Sequence, residues 1–292
     1  MSADLTRRGF LTLAGAAIAA PLALAGCSPA ASEGSAAGSA AASTGSLKGA
    51  KLTFVGDDAF APYRSVEVAT DGSSKVVGLD IDVADELARR LGFTYEFEPQ
   101  DFAATLASIQ GSDTSFTLAM SANAEREQTY DFTRGYYQPL VGVITAGNTA
   151  ITDIDGLAGK SVAVTTGTVQ NKFVEAAVAG ADIRTYDGGD QCLQEVLAGR
   201  VDAYVCDGAE GQSMQRANPD TVLGLLPREQ TADYVGVYRI MARKGAGFVG
   251  EFDAAVGEML ADGTVDSFIE KWVGDRFVWG GDTAAAGKGT VG

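Results

Sequence analysis

Ser161-Val162-Ala163-Val164-Thr165, then Thr166-Gly167-Thr168 and the run to Ala179, is the stretch that decides the fold. The first five residues form a short β-branched run and read as a strand. Gly167 supplies a turn, and Thr168 to Ala179 reads as a helix. Ile183 to Tyr186 reads as the next strand. Gln191 to Ala198 and Val201 to Cys206 read as a helix and a strand joined by the tight Gly199-Arg200 turn. A helix from Ala209 to Ala217 and a short strand near Val222 follow. Strands alternating with helices argue an α/β protein with mainly parallel sheets.

The same alternation extends upstream. Lys51 to Gly56 (KLTFVG) reads as a strand, and Tyr95 to Glu98 and Phe116 to Ala119 as two more. Between them, Ile81, Ala84, Leu87, Ala88 and Leu91 stripe one face of a helix from Asp80 to Leu91, ended by Gly92. Phe102, Leu106 and Ile109 mark a second helix. Downstream, Tyr234 to Met241 reads as a longer strand. Phe248, Phe252, Ala255, Val256 and Met259 stripe a helix, and Val265 to Trp272 forms the last one. The block 146–232 is compact and lies between elements from the two chain ends. One lobe is therefore expected over residues 49–140 plus 235–281, with a second lobe, 141–234, inserted in it. Gln138 to Thr145 and Asp233 to Met241 are then the two crossings. Ligands of such proteins sit between the lobes, at strand C-termini.

The first 26 residues read as an export signal. Arg7 and Arg8 give the positive n-region, and Leu11 to Ala25 an uncharged apolar region. That run is shorter than the roughly 20 residues needed to span a bilayer. Leu24-Ala25-Gly26-Cys27 is a lipobox, so cleavage before Cys27 and a lipid on its sulfur are expected. Thr6-Arg7-Arg8-Gly9-Phe10-Leu11 resembles a twin-arginine signal, and the general export route stays open beside it. Ser28 to Ser46 is nearly all Ala, Ser, Gly and Thr, which makes residues 27–48 a lipidated cysteine and a flexible tether. Residues 282–292 form a Gly/Ala-rich tail. The expected location is the cell surface or periplasm, held to a membrane through Cys27.

Composition narrows the function further. A net charge of −16 repels phosphate backbones and anionic headgroups, so no nucleic-acid partner is expected. The chain has no histidine. That excludes Ser-His-Asp and Cys-His catalytic sets and any His-ligated metal; no metal or cofactor is expected. Cys192 opens a helix of roughly 12–15 Å, and Cys206 closes a strand of roughly 17–20 Å that runs back along it. Their ends are near each other, and an oxidising compartment permits a disulfide. The alternative is two buried thiols.

Several segments resemble the extracellular solute-binding proteins for polar amino acids, family 3, the receptors of ATP-driven importers. Phe60-Ala61-Pro62-Tyr63 is similar to the family's N-terminal aromatic motif, and Gly78-Leu79-Asp80-Ile81-Asp82-Val83-Ala84 to its G-F-D-x-D-L-A helix start. Glu125-Arg126, Tyr130-Asp131-Phe132-Thr133 and Tyr136-Tyr137 resemble T-x-E-R followed by D-F-S-x-P-Y-Y. Leu157 to Val164 resembles L-x-G-K-x-V-A-V, continued by Gly167-Thr168. Gly199-Arg200-Val201-Asp202-Ala203 with Asp207 resembles G-R-x-D-A-x-x-x-D, and Lys271-Trp272 closes the series. The motifs run in family order from about residue 51 to 273. Departures are Asn123-Ala124 ahead of Glu125-Arg126, Asp113-Thr114-Ser115, and Val169 where many members carry a hydroxyl.

The resemblance implies a type II periplasmic-binding-protein-like fold, two α/β lobes with the ligand cleft between them. It also implies a free polar amino acid as ligand. Such a zwitterion needs a cationic fork and a carboxylate at fixed separation. Arg126 is then the grip on the α-carboxylate, helped by Ser121 and by the backbone amide of Thr168 at a helix start. Asp207 accepts from the α-ammonium. Phe60 and Phe102 sandwich the carbon chain, and Ala119, Gly167 and Val169 complete the set. Arg64 and Tyr137 are structural or rim residues. Asp57, three residues before Phe60, favours a cationic amino acid, with glutamine next, and rejects glutamate. The implied partners are a permease and its ATPase, with the receptor acting as a monomer and without chemistry. Two alternatives are a dehydratase-like enzyme on the same scaffold, for which Glu125, Asp57 and Asp58 are the acid candidates, and a ligand-sensing surface protein.

Overall fold

A computed structural model describes residues 47–274. The export signal, Cys27 with its tether as far as residue 46, and the tail 282–292 lie outside the described residues.

From the N-terminal side the elements are β1 (Lys51–Gly56), β2 (Ala59–Phe60), β3 (Arg64–Val68), β4 (Ser74–Val77), α1 (Leu79–Leu91), β5 (Thr94–Pro99), α2 (Phe102–Gly111), β6 (Ser115–Ser121), α3 (Arg126–Thr129) and β7 (Tyr130–Phe132). Then come β8 (Val141–Ala146), a 3-10 turn (Ile154–Leu157), β9 (Ser161–Thr165), α4 (Val169–Ala177), β10 (Asp182–Tyr186), α5 (Gly189–Leu197), β11 (Ala203–Asp207), α6 (Gly208–Ala217), β12 (Thr221–Leu225) and α7 (Arg228–Thr231). The series closes with β13 (Tyr238–Arg243), α8 (Val249–Ala261) and α9 (Thr264–Trp272).

Helix α1 shows how local sequence sets local structure. Leu79, Asp80, Val83, Ala84 and Leu87 form its buried face, and Ile81, Ala88 and Leu91 of the expected stripe are half-buried beside it. Asp80 and Asp82 occupy the first turn and Arg89 and Arg90 the last, which suits the helix dipole at both ends. Gly92 adopts φ 73° and its amide returns to the Ala88 carbonyl, a left-handed stop that costs glycine little.

The strands form two five-stranded sheets, ordered β5-β1-β6-β13-β7 and β10-β9-β11-β8-β12, and a small sheet β2-β3-β4. Each large sheet is the centre of one lobe. The expected mainly parallel sheets need one refinement. β1 pairs parallel with β5 and β6, and β9 with β10 and β11, but β13 and β8 run antiparallel to both of their neighbours. These two are the strands by which the chain enters each sheet from the other lobe. Parallel strands end at the cleft, so a chain arriving from the cleft must run the opposite way. The segment Gln138–Thr145, read as a crossing, is largely strand β8. The strand read from Tyr234 starts only at Tyr238; Gly236 precedes it, and its carbonyl accepts a 2.9 Å bond from Ser121 Oγ.

Phe54, Phe93, Phe116 and Phe252 pack the first lobe, with Phe54 and Phe116 stacked at 5.2 Å between centroids. Val143, Val162, Val164, Phe173, Val174 and Val205 fill the second. Cys192 and Cys206 are both buried and both free, so of the two readings the structure has the unbonded thiols. They share one apolar cluster but face different neighbours. Cys206 Sγ would lie 3.0 Å from a Cβ at Gly211 on α6, whereas Cys192 interacts with Thr165 at the end of β9.

Candidate functional site

The C-terminal ends of β1, β6, β9 and β11 open on one cleft of about 760 Å3, its mouth included. Small-molecule sites fall in roughly the 300–1,000 Å3 range. Of the residues expected to bind ligand, Asp57, Phe60, Phe102, Ala119, Ser121, Arg126, Thr168, Val169 and Asp207 all line it. Gly167 does not; it reaches the site through its carbonyl.

Arg126 starts α3, where its amide donates 2.8 Å to Asn123 Oδ1. The residue is 8% exposed. Nη1 donates to the Ser121 carbonyl at 2.9 Å and Nη2 to the Gly167 carbonyl at 3.3 Å. A guanidinium has five N–H donors, so three are left for a ligand. The carbon at its centre lies 5.5 Å from the Phe102 ring centroid. No carboxylate forms an ion pair with it among the described residues, and burial lowers its pKa. A buried cation without a counter-ion costs several kcal/mol; an anion entering the cleft supplies what is missing.

The opposite wall is the second lobe. Thr168 caps α4: its Oγ1 accepts from the Asn171 amide at 3.1 Å and donates to the Thr165 carbonyl at 2.8 Å. The Thr168 amide, expected to meet the ligand carboxylate, donates to Thr165 O across a long 3.3 Å. The following first-turn amides, Val169 and Gln170, have no intrahelical acceptor by position, and both residues line the cleft. Ser121 also differs in detail. Its hydroxyl is committed to Gly236, and its carbonyl, not its hydroxyl, steadies Arg126.

Asp207 ends β11 and caps α6. Oδ1 accepts from the Ala209 and Glu210 amides at 2.8 and 3.1 Å. It also accepts from the Tyr63 hydroxyl at 2.9 Å, while Oδ2 accepts from the Tyr238 hydroxyl at 3.0 Å. Helix cap and cleft carboxylate are one and the same residue. A carboxylate oxygen has about two lone-pair sites, and Oδ2, with one donor, keeps acceptor capacity. Burial pushes its pKa up to about 6 against the pull of these donors. Tyr63 and Tyr238 belong to the first lobe, so they tie the lobes together, as does Arg126 to Gly167. Glu125 bonds Lys172 across the mouth; neither it nor Asp58 lines the cleft.

Asp57 stands at the end of β1. Its Oδ1 accepts from the Ala59 amide at 2.8 Å, and burial raises its pKa. Phe60 stacks on Tyr63 at 4.7 Å. Ala119 is the one non-glycine residue with positive φ among the described residues, 56°. That is a strained conformation in mid-strand, held by its amide donating 2.8 Å to the Tyr136 hydroxyl. Arg64 is structural: it pairs with the fully buried Asp80, which also accepts from Tyr136 Oη at 2.9 Å. Tyr137 is fully buried against Tyr63 and Tyr238. Sequence reasoning missed Glu210, Gln170, Tyr204 and Tyr238 on the cleft wall. Glu210 was within reach, since three residues after Asp207 is the same face of a helix.

Two α/β lobes joined by two crossings, with a cleft at their strand ends, make this a type II periplasmic binding protein fold. Residues 52–275 match the model of bacterial extracellular solute-binding proteins, family 3, and the chain belongs to that family. The histidine-binding periplasmic protein of Escherichia coli K12 is 30% identical over 234 residues, 77% of this chain and 88% of that protein. The L-cystine-binding protein TcyJ of the same organism is 29% identical over 204 residues, 68% of this chain and 75% of that protein. An ancestral arginine-binding protein solved with glutamine bound has a TM-score of 0.68 at 29% identity, covering 77% of this chain and 98% of its own.

Proposed function

We propose that this protein is the substrate-binding lipoprotein of an ABC importer and binds a free polar amino acid, a cationic one ahead of glutamine. Arg126 holds the α-carboxylate and Asp207 accepts from the α-ammonium. The observation that carries this reading is the buried Arg126 guanidinium, which has no carboxylate partner among the described residues and lines the cleft. The first-turn amides of α4 add donors for the same anion.

The ligand contacts residues of both lobes, so it favours the closed state by differential affinity. In this reading lobe 1 is 49–140 plus 235–281 and lobe 2 is 141–234, with hinges at the two crossings. The lipid on Cys27 keeps the receptor near its permease and raises its local concentration. In this reading no chemistry is performed. Of the acid candidates, Glu125 is ion-paired to Lys172, Glu125 and Asp58 do not line the cleft, and Asp57, which does, is read as a ligand contact. The histidine-binding relative and the ancestral arginine-binding protein support a cationic ligand. Calorimetric titration with each amino acid tests the proposal: arginine, lysine or histidine binds tightest and is recovered unchanged. Tightest binding of glutamate overturns the specificity, and turnover of the ligand overturns the receptor role.

A further inference from the structure

Glu210 lies in the first turn of α6, three residues after Asp207, and lines the cleft. The residue is 5% exposed. Its Oε1 accepts from the Tyr204 hydroxyl at 3.1 Å. No other side chain among the described residues donates to this carboxyl; the Asp207 backbone amide is its second donor. The carboxyl is also fixed in place: a Cβ on Gly189 would come within 2.1 Å of Oε1 and 2.6 Å of the Tyr204 hydroxyl. Only a glycine at the start of α5 leaves room for it. The adjacent Gly188 borders Asp57, whose Oδ2 would lie 3.9 Å from a Cβ there. Asp57 from one lobe and Glu210 from the other thus flank the same glycine pair. Oε2 is not one of the fully buried, unpartnered side-chain atoms; it opens on the cleft, where a ligand cation can complete its bonding.

We infer that Glu210 is a specificity-determining residue of the cleft: with Asp57 it forms a carboxylate pair, one from each lobe, that takes the cationic end of the ligand side chain. The inference rests on the amino-acid reading of the site. A guanidinium suits it best, because its planar fork has donors for two carboxylates at once. A neutral amide or urea offers fewer donors and no charge. The electrostatics agree. Burial, then the proximity of Asp207 and Asp57, pushes the Glu210 pKa up to about 8. The groups facing it are Asp207, Tyr204 and Cys206 on β11, Cys192 on α5, Tyr238 on β13 and Asp57 after β1. None of these is a cation. Arg64 stands beside Asp57 and lowers its pKa but is paired with Asp80, and Arg126 is on the same cleft wall, so a ligand cation placed between Asp57 and Glu210 is the charge that would drive the proton off.

The test compares arginine with citrulline, its neutral near-isostere, by calorimetry at about pH 7 on the wild type and on Glu210→Gln, which keeps the shape. The wild type is expected to favour arginine and to release protons on binding it, seen as a dependence of the heat on buffer ionisation. Glu210→Gln should lose at least about tenfold in arginine affinity, leave citrulline within about threefold, and abolish the proton release. An unchanged arginine-to-citrulline ratio in Glu210→Gln, or a wild type that prefers citrulline, overturns the role of Glu210 while the amino-acid reading stands. A wild type that binds no amino acid overturns both. Asp57→Asn gives the second arm: loss of arginine preference there but not in Glu210→Gln would assign the cation to Asp57 alone and sink the pair.

Discussion

Replacing Arg126 with methionine removes the guanidinium and keeps most of the side-chain bulk. In the unliganded protein the change deletes two hydrogen bonds to carbonyls, at 2.9 and 3.3 Å. Bonds from a charged donor contribute about 1.5–3 kcal/mol each. The change also removes a buried cation whose desolvation costs several kcal/mol. These terms offset, so the unliganded melting temperature should move by only a few degrees. Binding has no such offset. Leaving a buried carboxylate without its partner costs about 3–5 kcal/mol, roughly 150- to 4,000-fold in Kd at 1.4 kcal/mol per tenfold. With ligand at a hundred times the wild-type Kd, binding stabilises the wild type by about 2.7 kcal/mol. At roughly 2–4 °C per kcal/mol, that is a rise of about 5–11 °C. The same ligand concentration lies below the variant's Kd and shifts its melting by about 1–2 °C or less. Thermal melts with and without ligand, beside calorimetric titration, read both quantities. A variant whose Kd stays within about threefold would refute the assignment. So would an unliganded melting point lowered by more than about 10 °C, since Arg126 would then be holding the fold.

Two further outcomes follow from buried groups. Burial raises Asp80 and Asp207 to about 6 and Glu210 to about 8, above ordinary carboxyl values. Between those values and the raised ones the folded protein holds protons that the unfolded chain has released, so stability falls as pH rises from about 4 to about 8. Glu86 and Asp262, lowered to about 2 by hydrogen bonds from Arg89 and Arg90 and from Thr264 and Arg90, act in the opposite sense and lose their contribution only below about pH 4. The unliganded protein should melt higher at pH 5 than at pH 8; a flat or rising profile over that interval contradicts the burial of these carboxyls. Cys192 and Cys206 should both take up an alkylating agent after unfolding without reductant, as mapped by peptide mass. A disulfide-linked peptide pair in a freshly purified sample would show that the thiols are not free.

Much of the fold was legible because its signals are local. The stripe of α1 and the left-handed Gly92 depend on side chains a few residues apart, and both bounds of β1 match the alternating run KLTFVG. The small sheet was not legible, because Val66 and Val68 are exposed and carry no burial pattern. Strand β8 was hidden in a crossing for a different reason. It is buried in a sheet whose other strands come from later in the chain, and nothing in Val141–Ala146 names those partners.

Sequence alone determined the class of structure, the order of most of its helices and central strands, and which residues to expect in the cleft: Arg126, Asp207 and Phe60 from motifs and Asp57 from its place before Phe60, all of which line it. Motifs record which groups are present at fixed spacing along one chain. What Arg126 lacks, a carboxylate, only the tertiary structure decided, because a missing partner is a statement about every residue around it. Strand direction at β8 and β13, the unbonded cysteines and the double role of Asp207 were settled in the same way, by contacts between segments far apart in sequence. Glu210 is the clearest case. In sequence it is one of many acidic residues. In the fold, Gly189 leaves room for it in the cleft wall, bonded to Tyr204 and facing the ligand space.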